Sequence, residues 1–463
     1  MIDRLRAELD RLGVIVPGRP LVVGYSGGAD SACLLDLLRK LEVDVIAAHL
    51  HHGMRAEADE ELLQCEKFCE ERGIPFLSGK ADVPQMARDL RVGLEEAGRW
   101  ARRQFFRQVM HQVEAPWTAL AHTEDDQIET VLFHIARGTG LHGLIGIPGR
   151  EDGICHPMLS ISREETRSYC VAHGLWFHDD PANQEIEFAR VRLRHRVIPE
   201  FESVHPGFRQ SLIRLSEIAA EEDAFLNGIA ANSLEGIEQL PNGNLAFLTR
   251  DCEVILSRGG LTALPAVVQK RCLRLIAQYL GAEPSFDQIA LIVKALGEDG
   301  SGSITFEEGE VVTEILGDTI HLRQLLVDEV FRFPLTVPGD TESDHFGWKL
   351  TAQSWDPGDF RQQPGSLEVV IDPDASAKNL HFRSLEPGDR MEPLGMEGTK
   401  LVSDLLNEAG LTLAARRRLP IICDMAGPIW VPGVRMSDRV KVTDRTKRGL
   451  KLSFGPLQDP SWS

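Results

Sequence analysis

Short apolar runs alternate with longer stretches of helical periodicity through residues 1–205. Residues 20–25 (PLVVGY), 43–50 (VDVIAAHL), 74–77 and 117–122 (WTALAH) carry few polar side chains, the pattern of buried strands. Between them, 31–41, 57–72, 95–112 and 125–137 repeat apolar positions at helical spacing. Strands alternating with helices predict βαβ units and an α/β domain built on a parallel sheet. In such sheets ligands collect at the carboxyl ends of the strands.

Beyond residue 205 the pattern changes. Helical stretches at 208–227, 267–280 and 287–296 and a Gly/Glu-rich strand stretch at 300–322 predict a mostly helical middle domain over 206–325. The Pro-, Gly-, Asp- and Trp-rich residues around 331–359 read as a linker or a short β segment, bounded at 326–366. Strands at 368–371, 429–431, 440–442 and 450–454 with a helix at 401–409 predict an α+β domain over 367–463. The first residues, MIDRLRAELDRLGVIVPG, are amphipathic and lack the apolar core of a secretory signal. Apolar runs fall far short of the roughly 18–20 residues that span a bilayer, so no membrane partner is expected and the expected location is cytoplasmic.

Composition first complicates this picture. Fifty basic against 70 acidic residues give −20 at pH 7, which taken alone argues against a nucleic-acid coat. The distribution says otherwise. Residues 416–451 hold ten basic side chains against three acidic ones, and 190–196 hold four arginines and no acid. Phosphate binding follows local basic patches, so an acidic chain can still hold RNA. The eight cysteines form no CxxC pair, which argues against a zinc ribbon or a disulfide framework. Cys65 and Cys69, four apart on an expected helix, read as buried apolar-stripe residues in preference to metal ligands.

The first strand runs into Ser26-Gly27-Gly28-Ala29-Asp30-Ser31 and then a helix. Two glycines let a backbone approach an anion, and the first amides of the helix point at it. The Walker lysine is missing, so this loop is not built to grip a γ-phosphate for hydrolysis. A plain strand–helix turn capped by Ser26 is the alternative. The hexamer SGGxDS resembles the loop of the PP-loop ATP-pyrophosphatases (an adenine nucleotide alpha-hydrolase-like, Rossmann-like fold), which cleave ATP between its α- and β-phosphates. That resemblance implies ATP as cosubstrate and Asp30 as a ligand of Mg²⁺.

Further motifs follow in order: His49-Leu50-His51-His52-Gly53-Met54-Arg55, Glu96-Ala97-Gly98-Arg99-Trp100-Ala101-Arg102-Arg103, Ala121-His122-Thr123-Glu124-Asp125-Asp126-Gln127-Ile128-Glu129-Thr130, Asp180-Pro181-Ala182-Asn183 and RVRLR at 190–194. Near the end stand Pro387-Gly388-Asp389-Arg390, RRRLP at 416–420 and Trp430-Val431-Pro432-Gly433-Val434-Arg435. Together they resemble the tRNA(Ile)-lysidine synthetase family, TilS. Departures are Ala182 where DPSN is usual, Val191 within the RNxxR position, and Trp100 and Arg103 where Glu and Tyr are common. Thiolating relatives need cysteines that this chain does not place suitably.

The resemblance implies a ligase joining L-lysine to the wobble cytidine of tRNA(Ile) with a CAU anticodon, converting AUG to AUA decoding. ATP first adenylates the cytosine 2-oxygen, and the lysine ε-amine then displaces AMP. The implied nucleotide residues are Ser26, Gly27, Gly28, Ala29, Asp30, Ser31, His49 and Arg55. Arg99 and Arg102, one helical turn apart, with Arg190, Arg192 and Arg194, are candidates for neutralising the triphosphate; a solvated or purely tRNA-binding face is the alternative for 190–194. Arg190, Arg192, Arg416, Arg417 and Arg435 are candidates for tRNA contact. A homodimer is a family-level expectation.

A free lysine amine, with pKa about 10.4, is neutral in roughly one molecule in 2,500 at pH 7, a deficit of about 4.6 kcal/mol. Asp126 and Glu129, three apart on a helix start, are candidates to bind the lysine amino groups and accept a proton. A carboxylate pair raises the bound amine's pKa, so it cannot supply the free amine by itself. Helix capping is the alternative for Asp125 and Asp126, and a structural role is the simpler one for His51 and His122. An acidic tRNA-binding scaffold and a different adenylating ligase remain as competing function classes.

Overall fold

The computed structural model describes residues 1–51, 53, 58–178, 189–297, 302–305, 311–325, 330–355 and 363–457. Two compact units divide the chain, Met1–Ala224 and Phe225–Ser463.

The first unit follows the predicted alternation: α1 (Ile2–Leu12), β1 (Leu21–Gly24), α2 (Ala29–Lys40), β2 (Val45–His51), α3 (Ala58–Glu70), β3 (Phe76–Lys80), α4 (Val83–Leu90), α5 (Leu94–Gln112), β4 (Thr118–Ala119), α6 (Glu124–Arg137), α7 (Leu141–Leu144), β5 (Arg150–Glu151), β6 (Ile154–Cys155), α8 (Arg163–Ala172), α9 (Ala189–Arg192), a π turn at Leu193–Val197, α10 (Ile198–Val204) and the part of α11 (Phe208–Ile237) up to Ala224. The sheet order is β3-β2-β1-β4-β6-β5, parallel except for β5. Strand order reverses between β1 and β4, so their carboxyl ends open the crevice where such sheets bind ligands.

Two strands differ from expectation. The third begins at Phe76, because the Ile74 amide closes the end of α3 on Cys69 O at 2.9 Å and Gly73 takes a left-handed φ of 61°. The strand extends to Lys80, and a Cβ on Gly79 would lie 2.7 Å from the Phe105 ring, which brings α5 down onto this edge. The fourth pairs only at Thr118 and Ala119, after which the chain turns into the cap of α6.

In the second unit, β7 (Glu238–Gln239), β8 (Glu253–Ser257), β9 (Gly302–Thr305), β10 (Val311–Leu316) and β11 (Thr319–Gln324) form an antiparallel sheet in the order β7-β8-β11-β10-β9. Helices α12 (Arg258–Thr262), α13 (Ala266–Tyr279) and α14 (Phe286–Leu296) share its core through Leu261, Leu273 and Ile292. The middle region therefore mixes helices with a sheet. Its β8 was missed in the sequence because EVILS has no period-2 alternation, being buried through Leu256.

The remaining residues carry β12 (Arg332–Pro334), β13 (Gly339–Ser343), β14 (Trp348–Trp355), β15 (Glu368–Ile371), β16 (His381–Arg383), β17 (Arg390–Met391), β18 (Lys400–Leu401), α15 (Val402–Glu408), α16 (Leu413–Arg418), β19 (Ile421–Asp424), β20 (Gly427–Val431), β21 (Arg435–Met436) and β22 (Gly449–Pro456). They make sheets ordered β12-β16-β19-β20-β21 and β13-β14-β22-β15. The Trp-containing segment read as a linker or β piece supplies β12–β14, and Trp348, 1% exposed, lies in the core with Trp430. The strand expected at 440–442 is a correction: Asp438–Val440 is a 3₁₀ turn capped by the Ser437 hydroxyl, with Val440 buried by it.

Candidate active site

β1 delivers Ser26 to the crevice, and the next residues are held by their own hydroxyls. The Ser26 amide donates to Ser31 Oγ at 3.2 Å, the two seryl oxygens are 3.1 Å apart, Gly28 N–H donates to Ser26 Oγ at 3.3 Å, and Ser31 Oγ donates to Gly28 O at 2.9 Å. Gly27 has φ 81°, and a Cβ there would sit 3.0 Å from Cys65 Sγ. Glycine is required on both grounds. The loop thus enters α2 with its first-turn amides, which have no acceptor inside the helix, facing outward for an anion.

His49 buttresses this loop from β2. It is buried, its Nδ1 donates to Tyr25 O at 2.9 Å, and burial holds its pKa below the ordinary value, keeping the ring neutral. Arg55 and the 180–183 motif lie outside the described residues.

Asp30 opens α2. Thr166 Oγ1 donates to its Oδ1, and Arg163 Nε lies 3.6 Å from its Oδ2. Burial raises the Asp30 carboxyl pKa, against the opposing pull of Thr166 and Arg163. α6 starts with a capping box: Thr123 N–H and Oγ1 donate to Asp126 Oδ2 at 2.8 and 2.9 Å. The other Asp126 oxygen accepts from Arg163 Nη2 at 2.6 Å. One turn on, Glu129 is 2% exposed; Arg194 grips it with Nε at 2.7 Å and Nη2 at 3.1 Å, and Arg163 Nη1 is 3.5 Å away. Asp125 serves the frame, accepting the Arg163 backbone N–H at 2.7 Å and Arg209 Nη1 at 2.8 Å. Burial would raise its pKa, but those two donors hold it below the usual range.

Five side chains from four segments therefore meet: Asp30, Asp126, Glu129, Arg163 and Arg194. Four were singled out in the sequence. Arg163 was not. Its local signal, Ser162 to Glu165, is a capping box, confirmed by the Ser162 amide donating to Glu165 Oε2 at 2.9 Å.

Other candidates lie outside this cluster. Arg99 and Arg102 are exposed on α5, and Arg190 and Arg192 are exposed on α9 around buried Val191. His122 and His156 stack tilted with centroids 4.8 Å apart. Burial, then His156, then nearby Arg102 and Arg190 push the His122 pKa down to about 4, while Asp126 pulls the other way. His156 donates from Nδ1 to Pro148 O at 2.8 Å and is likewise lowered by burial. Among the described residues, no group of three or more His, Cys, Asp or Glu side chains is placed to hold a metal ion. Cys65 and Cys69 are buried, each thiol pushed up to about 12 chiefly by that burial.

The chain matches three family models: a PP-loop domain over residues 2–201, a TilS substrate binding domain over 256–314 and a TilS substrate C-terminal domain over 379–452. A tRNA(Ile)-lysidine synthase of Geobacillus kaustophilus is 32% identical across 94% of this chain and 95% of its own length. One of Geobacter sulfurreducens is 31% identical across 96% and 94%. The chain belongs to the tRNA(Ile)-lysidine synthase family. Among solved structures, a TilS C-terminal domain is 26% identical over 28% of this chain and all of its own, with a TM-score of 0.26. A U34-tRNA thiolase of Methanococcus maripaludis is 20% identical over 48% of this chain and 78% of its own, with a TM-score of 0.41.

In the TilS C-terminal region the basic residues divide by role. Arg418 is buried and donates to Leu248 O at 3.0 Å, and Arg439 forks onto buried Asp424 at 2.7 and 2.9 Å. Both are structural. Arg416 is half-buried with Nε on Leu411 O at 2.8 Å, Arg417 is exposed, and Arg435 is half-buried on β21. A groove of about 1250 Å³ on this module is lined by Arg332, Lys378, Lys447 and Arg448 with the rings of Phe333 and Trp355. Among the described residues, no helix is long and apolar enough to cross a membrane.

Proposed function

We infer that this chain converts ATP, L-lysine and the wobble cytidine of a CAU-anticodon tRNA(Ile) into lysidine, AMP and pyrophosphate. The observation that supports this beyond family membership is the crevice cluster of three carboxylates and two guanidiniums beside the SGGADS loop. An enzyme that only adenylated a small acid would have no use for paired carboxylates facing a cationic nucleophile.

In the first step the cytosine 2-oxygen attacks the α-phosphorus and the bond to pyrophosphate breaks. In this reading the loop amides and the exposed Ser26 hydroxyl receive the departing anion while buried Ser31 braces the loop, and Arg99, Arg102, Arg190 and Arg192 supply positive charge. Mg²⁺ commonly takes one or two protein carboxylates and completes its shell with phosphate and water, and Asp30 in the first turn of α2 offers such an oxygen. When bound it would offset charge on the triphosphate. In the second step the ε-amine forms a bond to the ring C2. The C2–O bond breaks with its electron pair leaving on AMP, and the nitrogen sheds a proton to Asp126 or Glu129. Arg416, Arg417 and Arg435 join the groove's lysines and arginines in holding tRNA phosphates, in a cytoplasmic setting.

Nucleoside analysis of a tRNA(Ile) transcript after incubation with ATP, Mg²⁺ and lysine tests the reading. Lysidine is expected; pyrophosphate release without lysidine, or without need for tRNA, would overturn it.

A further inference from the structure

Holding lysine between carboxylates creates a difficulty, because negative charge favours the ammonium that cannot attack. In the structure neither carboxylate stands alone. Arg163 spans Asp30, Asp126 and Glu129, while Arg194 covers Glu129 from the other side. Asp125 is occupied by Arg209 and by the Arg163 backbone amide, so its charge is already answered. With Asp30 given to Mg²⁺ in the same reading, two guanidiniums face the two carboxylates that hold the amine.

We propose that Arg163 is a positioning residue for lysine transfer, fixing the Asp126 and Glu129 carboxylates while cancelling enough of their charge to let the bound ε-amine exist as the free base. This rests on the reading that Asp126 and Glu129 hold that amine. Among the described residues, the charged groups facing Arg163 are Asp30 on α2, Asp125, Asp126 and Glu129 on α6, and Arg194 on the π turn, with Arg209 of α11 behind Asp125 and Thr166 of α8 bridging Asp30 to the Arg163 carbonyl at 2.9 Å. The His122–His156 pair senses Asp126 and is held neutral by burial, so it adds no compensating charge near pH 7. Arginine suits the role better than lysine would in one respect. Its planar fork reaches several oxygens at once and cannot lose its proton.

Removing one positive charge about 6 Å from the amine, at an effective dielectric constant near 20, moves the amine's pKa up by about one to two units. The test is the pH dependence of lysidine formation at saturating ATP, tRNA and lysine. For Arg163→Gln the rising limb of kcat is expected to move up by about one unit or more. At pH 7 kcat then falls about tenfold while KM for lysine holds or falls. Arg163→Lys, which keeps the charge, should leave the limb within a few tenths of the parent.

Partial misfolding of Arg163→Gln would lower the rate with every amine alike, so the same shift is also read as a ratio between nucleophiles. S-(2-aminoethyl)cysteine, whose sulfur makes its amine less basic, should be used by Arg163→Gln with a smaller deficit than lysine is. A lower kcat with an unmoved limb and an equal deficit for both amines would reduce Arg163 to a structural brace and overturn the proposal. Glu129→Gln separates the two readings. An unchanged lysine KM there defeats the amine-binding assignment itself; a raised one beside an unmoved Arg163→Gln limb defeats only the proposal.

Discussion

The Glu129–Arg194 pair offers the sharpest energetic test of the site. Glu129→Gln removes the charge with almost no change of volume. The Gln carbonyl can accept one of Arg194's two bonds, while its NH₂ then faces the second guanidinium nitrogen and Arg163 Nη1, which lay 3.5 Å from Oε1. Glu129 is 2% exposed, so water cannot replace the lost partner on that side; Arg194, about a quarter exposed, is partly relieved by solvent. A hydrogen bond to a charged group is worth about 1.5–3 kcal/mol, and breaking a buried pair costs about 3–5 kcal/mol. Allowing for the exposed arginine, the expected loss is about 2–4 kcal/mol. For a unit of this size that is a fall in Tm of roughly 4–16 °C. The assay is a double-mutant cycle with Arg194→Met, read by thermal unfolding and by hydrogen exchange of the α6 amides. A coupling of at least about 1.5 kcal/mol is expected. Coupling within about 0.3 kcal/mol of zero, with α6 protection unchanged, would refute the pairing as a source of stability.

Gly27→Ala should cost about 1–2 kcal/mol for its left-handed backbone and crowd Cys65, so pyrophosphate release weakens through a raised ATP KM in a folded protein; an unchanged KM counts against the loop's role. His122, held at about 4 against an unfolded value near 6.5, makes the unfolded chain bind more protons between those limits. Stability of the first unit should fall as pH drops from about 6.5 towards 4, and His122→Gln should flatten that limb in denaturant titrations at stepped pH. Lys447→Glu with Arg448→Glu on the C-terminal groove should weaken tRNA binding and lower the slope of log K against log salt by about two; equal slopes would remove the groove from the tRNA path.

What the sequence made legible was what is local. The SGGADS loop follows a strand and opens a helix, so spacing alone placed its glycines and hydroxyls together. Asp126 and Glu129 needed only helical periodicity to share a face. Arg163 needed tertiary structure, since its carboxylate partners lie 34, 37 and over 130 positions away and its local context advertises only a helix cap. Glu129's burial was equally invisible, because a carboxylate on a helix start reads as exposed until Arg194 is known to cover it. In the second unit the errors came from period. The buried EVILS strand lacks alternation, and Val440 is apolar because a capped 3₁₀ turn carries it into the core. Charge counting named a basic segment but could not separate Arg418 and Arg439, consumed inside the fold, from the exposed residues of the groove.

The capping box at the start of α6 has a bearing on how freely this enzyme could change its amino-acid substrate. One oxygen of Asp126 terminates the helix and the other faces the crevice. A variant selected at that position for a shorter or uncharged nucleophile would fray the turn that sets the bearing of Glu129. Where Asp126 holds the amine as proposed, selectivity and scaffold are welded at a single carboxylate. Laboratory evolution towards another amine should find its tolerated substitutions around Asp126, at the guanidinium facing it and at the rim, while Asp126 itself stays fixed by the helix it begins.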